Sequence, residues 1–347
     1  MLATGLLVMG ACSRDEPERS ADPTSSPTLQ GAYAVYITNE RSGDLTVIDP
    51  ATMSGVATIA LGKRPRGIRS SPDGSQLYIA LSGSPISPPG VDVSTLPPPD
   101  RAADGIGVVE TASLTLKTIL KGPSDPEQTS VSRDGRRLYI ANEDVGKATV
   151  LDIQSGESIA EFEVGGEPEG VTTSPDGRFV YVTSEEDNLV SVIDTASHQL
   201  VKRIPVGARP RDTAFSPDSS RAYVSGENDA SVSVVDTSSH TVIQTIRLTG
   251  ENVRPMGVAV SPDGRRIFVT TGRGRTVVGI DAGTYEPIGS VEVGVRPWGI
   301  AINPDGSRLY TANGPSNDVS VVDTRTLRVL RRISVGQSPW GVAIVAR

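Results

Sequence analysis

A phrase of about 42 residues recurs along almost the whole chain, and no other feature limits the possible folds so strongly. The tetrapeptide Ser-Pro-Asp-Gly, or a near copy, begins at Ser71, Ser132, Ser174, Ser216, Ser261 and Asn303, with spacings of 61, 42, 42, 45 and 42 residues. Around each copy lies the same longer phrase: a Pro-x-Gly start, the Pro-Asp-Gly turn, a Leu-Tyr-Val-Thr-Asn run, then Val-Ser-Val-Val-Asp-Thr, and a closing Thr-Ile-x-Val-Gly. Each run holds four to six β-branched or aromatic residues bounded by Gly, Pro, Asn or Asp, which is the pattern of a short strand. Four strands, A to D, in one period make a propeller blade rather than a helical or leucine-rich repeat.

Both chain ends enter the blade count. Six copies are complete or nearly so, and Gly341 to Val345 form only the A strand of a further one. The missing strands stand at the other end, as Tyr36-Ile37-Thr38-Asn39 (B), Leu45 to Asp49 (C) and Val56 to Gly62 (D). Joining them predicts an all-β, seven-bladed propeller of four-stranded antiparallel blades over residues 33–347, with the ring closed by pairing N-terminal strands to the C-terminal strand. Closure removes strand edges that would otherwise template aggregation. The 36 Gly and 26 Pro are then the cost of many tight turns.

Several phrases carry a family likeness: Arg64-Pro65-Arg66-Gly67, Asn142-Glu143-Asp144, Glu167-Pro168-Glu169-Gly170, Arg209-Pro210-Arg211, Thr311-Ala312-Asn313-Gly314 with Ser316 to Val321, and Pro339-Trp340-Gly341. Over residues 33–347 the chain resembles the YVTN family of seven-bladed propellers, and within it the propellers associated with pyrroloquinoline-quinone-dependent catabolism. The resemblance implies an exported, non-catalytic accessory protein beside a quinone-linked oxidation system, with a quinoprotein dehydrogenase or a cytochrome c as partner and no cofactor of its own.

Residues 1–12 read as a lipoprotein-type signal. An apolar run ends in Met9-Gly10-Ala11 directly before Cys12, the chain's one cysteine and the candidate for lipidation. No Lys or Arg precedes that run. Residues 13–32 are polar and Pro/Ser-rich, the composition of a flexible tether. The expected location is therefore the periplasm or cell surface, with the membrane reached only through a lipid anchor. The propeller is expected to be monomeric. A formal net charge of -8 argues against a general nucleic-acid binder.

With A innermost and D outermost, the D–A and B–C loops share one face of the disc. That face varies from blade to blade, and variation on a regular scaffold is where function resides. The residue before the Pro and the residue after it at each A-strand entry read, around the ring, Ser338/Trp340, Arg64/Arg66, Asp125/Glu127, Glu167/Glu169, Arg209/Arg211, Arg254/Met256 and Arg296/Trp298. Arginine beside tryptophan is the composition of many binding hot spots, and the planar Arg fork suits carboxylate and phosphate groups. Arg64, Arg66, Glu127, Glu167, Glu169, Arg209, Arg211, Arg254, Arg296, Trp298 and Trp340 are thus the expected contacts for a partner protein or a small anionic ligand, at an arginine-dominated mouth with its acids in two adjacent blades. The Pro-rich insertion at 82–105 extends a B–C loop on this face.

His198 and His240, the chain's two histidines, fall in C–D turns on the opposite face, as solvated turn residues. One cysteine excludes a Cys-based zinc site, and no Gly-x-Ser-x-Gly elbow, Walker loop or EF-hand loop is present. No metal and no catalytic residue is expected. The leading expectation is a non-catalytic, envelope-anchored binding protein. A lactonase-like or haem-d1-like propeller enzyme is the first alternative, and a surface or adhesion scaffold the second.

Overall fold

The β-branched runs form short strands that stop at their turn residues, so every repeat becomes one small sheet. In the computed structural model, which describes residue 1 and residues 29–86, 91–92 and 95–347, the strands build seven four-stranded antiparallel sheets. The seven-bladed, all-β expectation holds. Helix among the described residues is limited to short 3-10 segments, among them Arg101–Ala103, Glu143–Val145 and Gly272–Gly274, and none is long and apolar enough to cross a membrane. Residues 2–28, with Cys12 and most of the expected signal and tether, lie outside the described residues, as do 87–90 and 93–94 of the insertion.

Blade 1 joins the chain ends. Pro339–Ala346 is its inner strand and pairs antiparallel with Tyr33–Asn39, followed outward by Asp44–Asp49 and Ser54–Ala60. The register sets Val35 opposite Ile344 and Tyr36 opposite Ala343. The inner strands of blades 2 to 7 are Pro65–Ser70, Pro126–Val131, Pro168–Thr173, Pro210–Phe215, Val258–Val260 and Pro297–Ile302. Each packs against the next, and the last returns to Pro339–Ala346. Leu29 to Ala32, the end of the expected tether, lie on blade 1: Asp49 accepts from the N–H of Gln30 and Gly31, and Arg347 donates to the carbonyls of Leu29 and Ala32.

The core lies between blades. Tyr36, Tyr78, Tyr139, Tyr181, Tyr223, Phe268 and Tyr310, one per B strand, are among the largest fully buried side chains. Tyr36, for example, packs with Leu77 and Ile79 of the next blade. Burying a side chain of this size contributes about 1.5–3 kcal/mol. The acids that end strand C cap turns: Asp194 accepts from the N–H of Ala196 and Ser197, Asp236 from Ser238 and Ser239, and Asp281 from Gly283 and Thr284. These bonds to the charged form hold their pKa values below the ordinary range.

Candidate functional site

The Pro-x-Gly entry aims a side chain into the channel mouth by two backbone devices. The residue before the Pro is left-handed in six blades, with φ of 39° to 55° at Arg64, Asp125, Glu167, Arg209, Arg296 and Ser338. Such a φ is unfavourable for a non-glycine residue and persists where the surroundings demand it. Immediately after the Pro the ladder slips, as between Pro65 and Ile68 or Pro210 and Thr213, so x and the next residue form a bulge. A bulge re-aims its side chain. Glycine follows x in five of the seven blades because neighbouring bulges nest: a Cβ on Gly67 would lie 2.7 Å from Gln128 Cα, and one on Gly341 2.6 Å from Arg66 O.

All eleven residues expected at the mouth line one cavity of about 1260 Å³. Described parts of the insertion form part of its wall, including Ile86, Leu96 and Pro97. Both stems of that loop are fixed. Asp104 accepts from the N–H of Gly83 and Asp125, Arg64 donates to the carbonyls of Ser84 and Pro85, and Arg101 pairs with Asp144 at 2.6 Å.

The charge distribution differs from the sequence expectation. Four further glutamates, Glu40, Glu143, Glu185 and Glu227, come from the first position after strand B in blades 1, 3, 4 and 5, so acids are not confined to two blades and arginine does not dominate. They organise two centres. Arg66, buried, pairs with Glu127, with Glu143 at 2.9 Å and with Glu40 at 3.5 Å; Glu40 also holds Arg64 at 2.8 Å. Arg211, buried, pairs with Glu185, with Glu227 at 2.7 Å and with Glu169 at 3.1 Å. Arg209 covers the second centre, 2.6 Å from Glu185 and 3.2 Å from Glu227. Sequence reading took only the A-strand entry of each repeat; aligning the residue after strand B would have exposed this second ring.

Burial sets the protonation of the second centre. It raises the Glu169 pKa against the pull of Arg211, and it raises Glu185, with the Glu169 charge adding to it, to about 10. Glu185 therefore keeps its proton at neutral pH and shares it with Glu169 through the hydrogen bond between the two carboxyls. For Arg211 burial acts the other way, but Glu169, Glu185 and Glu227 outweigh it and the guanidinium is held more firmly charged. A carboxyl pair that carries one proton and one vacancy near neutrality can both accept and deliver a proton.

The aromatics adjoin the second centre, with the Arg211 guanidinium 5.3 Å from the Trp298 ring centre. Trp298 and Trp340 stack with ring centroids 5.8 Å apart at 22° between planes, and the Arg296 guanidinium lies 4.8 Å from the Trp298 ring centre. Both histidines are on the opposite face, as expected, but His240 is not simply solvated. Its Nδ1 bonds the Tyr181 hydroxyl at 2.8 Å and its ring meets Phe179 edge-on at 4.6 Å. Among the described residues no group of three or more His, Cys, Asp or Glu stands where it could hold a metal ion.

Comparison with known proteins bears on what such a mouth does. A family model described as "Choice-of-anchor I domain" matches residues 24–212, and one described as "Lactonase, 7-bladed beta-propeller" matches residues 195–337. No curated protein sequence matches the chain. Among solved structures, a putative 6-phosphogluconolactonase from Bacteroides fragilis is 18% identical, with a TM-score of 0.74 over 92% of this chain and 100% of that one. The periplasmic gluconolactonase of Pseudomonas aeruginosa is 21% identical, with a TM-score of 0.69 over 90% and 99%. The hydrazine synthase of Kuenenia stuttgartiensis is 21% identical, with a TM-score of 0.68 over 82% and 95%. At these identities the likeness carries the fold alone. The lactonase family match and the lactonase names among the neighbours nevertheless overturn the expectation of a non-catalytic binding protein and favour the lactonase-like alternative. That expectation failed because it equated chemistry with imidazole and nucleophile motifs, whereas a buried carboxyl pair needs neither.

Proposed function

The chain belongs to the choice-of-anchor I domain family, and from that premise, with residues 195–337 matching a lactonase propeller, we propose that it hydrolyses lactones at the channel mouth. The observation that carries the reading is the Glu169–Glu185 carboxyl pair held by Arg211, with Glu169 in the wall of the cavity. Glu169 takes a proton from water as the water oxygen bonds to the lactone carbonyl carbon. Arg209, two-fifths exposed above the same pair, faces the oxyanion that forms. The ring C–O bond then breaks, and the proton shared by the pair passes to the departing ring oxygen. The pair ends with the protons it began with, and the product is a hydroxy acid.

The test is hydrolysis of gluconolactone and 6-phosphogluconolactone followed in a pH-stat. Glu169→Gln is expected to lower kcat by about 10²–10⁴-fold. Rates equal to spontaneous opening for both lactones, with no difference between wild type and variant, would refute the reading.

Two finer expectations join it. The likeness to propellers associated with quinone-dependent catabolism supports a place downstream of sugar oxidation by a quinoprotein dehydrogenase, because oxidising a cyclic hemiacetal yields a lactone. The segment ending at Cys12 supports an exported, lipid-anchored chain. Cys12→Ser is expected to move the protein from the membrane fraction to the soluble fraction, and membrane retention of that variant would count against the anchor.

A further inference from the structure

The mouth is divided into two electrostatic halves. Arg64, Arg66, Arg209 and Arg211 each lie within 4 Å of a carboxylate. Arg254, Arg273 and Arg296 line the same cavity on the side of blades 6 and 7, and among the described residues none of the three has a carboxylate within ion-pair distance. Each comes from a different loop. Arg254 and Arg296 stand at the entries to blades 6 and 7, and Arg273 in the B–C turn Gly272–Gly274.

Their positions are held without being neutralised. Asn228 Oδ1 accepts from Arg254 Nη1 at 2.9 Å, and Arg296 rests on the face of Trp298. Two residues beyond Arg273, Arg275 is neutralised by Glu292 at 3.3 Å, so one turn pairs one arginine and leaves the other facing the cavity without a carboxylate. Gathering these cations is unfavourable: burial, then Arg211 and Arg273, depress the Arg296 pKa, and the charges of Glu227 and Glu40 offset this only in part. A bound anion removes that penalty, and planar guanidinium forks match carboxylate and phosphate oxygens. The stacked Trp298 and Trp340 supply a flat apolar face for the ring of the same ligand.

We propose that Arg254, Arg273 and Arg296 form an oxyanion-binding subsite beside the Trp298–Trp340 platform, which selects lactones that bear a carboxylate or phosphate in addition to the ring ester. The inference deepens the hydrolase reading and rests on it for the word substrate, but binding of the anion does not depend on turnover.

Because both tryptophans of the chain lie at this site, their fluorescence reads its occupancy directly. The probes are gluconate, which has only the carboxylate that ring opening creates, glucarate, with a second carboxylate, and 6-phosphogluconate, with a phosphate. The expected result is at least tenfold tighter binding of glucarate or 6-phosphogluconate than of gluconate, and whichever binds tighter identifies the oxyanion. Arg296→Ala and Arg273→Ala are each expected to cut that preference by at least fivefold; Arg273, on an exposed turn, serves where Arg296→Ala does not fold. Equal affinity for the three acids, no fluorescence change with any of them, or a preference untouched by both substitutions would overturn the subsite. Turnover without the preference leaves the hydrolase reading standing and removes the subsite, and preference without turnover does the reverse.

Discussion

The shared proton of Glu169 and Glu185 makes stability depend on pH in a range where most proteins are flat, and Glu185→Gln isolates the effect. A carboxyl whose pKa is higher folded than unfolded binds more protons in the native state. Its contribution is complete below the ordinary value of 4.5 and is lost as pH rises towards its folded value of about 10. Inside that window one extra native-state proton makes stability fall by about 1.4 kcal/mol per pH unit, or about 2.7 kcal/mol from pH 7 to 9. Asp212, which burial also raises, is common to both proteins and cancels in the comparison. The turn-capping aspartates have lowered pKa values and ionise in acid, and burial lowers both histidines, whose protons have largely left by pH 7. Glutamine mimics the protonated acid, still offers an oxygen to Arg209 and Arg211, and cannot ionise. Urea unfolding of both proteins, followed by tryptophan fluorescence at pH 7, 8 and 9, should show the wild type losing up to about 2.7 kcal/mol relative to the variant. Parallel dependences over that range would refute the shared proton, and with it the acid–base role given to the pair.

Three further outcomes follow from the packing. Arg211→Met leaves Glu227 and the singly protonated Glu169–Glu185 pair without their buried counter-charge and is expected to destabilise by about 3–5 kcal/mol at pH 7, measured by urea unfolding; a loss below about 1 kcal/mol would show that Arg211 is not the counter-charge. Gly341→Ala drives a Cβ against Arg66 O and should lower the melting temperature by several degrees, while Gly55→Ala, whose Cβ would meet only Thr46 Cγ2 at 3.5 Å, should stay within about 0.5 kcal/mol of wild type. Tyr181→Phe deletes the hydroxyl bonded to His240 and is expected to cost about 1 kcal/mol in a thermal melt, and an unchanged melt would mean that His240 finds an equivalent partner.

The propeller was legible because its determinants are local and repeated. Seven aromatics at one strand B position and seven acids at the end of strand C report a period without any knowledge of packing, and the structure uses them as inter-blade core and turn caps. The mouth was half legible. Arg64 through Trp340 could be placed because a Pro marks the entry to each inner strand, followed in five blades by x-Gly. Glu40, Glu143, Glu185 and Glu227 carry no phrase of their own, and their importance appears only when the B–C loops fold over the same opening. Nor could sequence show which arginines are spent. Arg211 and Arg296 both lie over the Trp298 ring, yet three carboxyl groups surround the first and none stands within ion-pair distance of the second among the described residues.

That difference has a structural origin in the ring itself. Arg66, in blade 2, draws its carboxylates from blades 1 and 3, and Arg211, in blade 5, from blade 4 and its own. Every centre at the mouth is thus assembled across blade boundaries, and its geometry depends on how closely the inner strands nest. Blade 1 is where this dependence is greatest. It presents Glu40 from the N-terminal strands and Trp340 from the C-terminal strand, so one charge partner of Arg66 and half of the aromatic platform are joined only by the pairing of Tyr33–Asn39 with Pro339–Ala346. The strand pairing that closes the fold therefore also completes the site, and loosening it should disturb tryptophan stacking before the outer strands unfold.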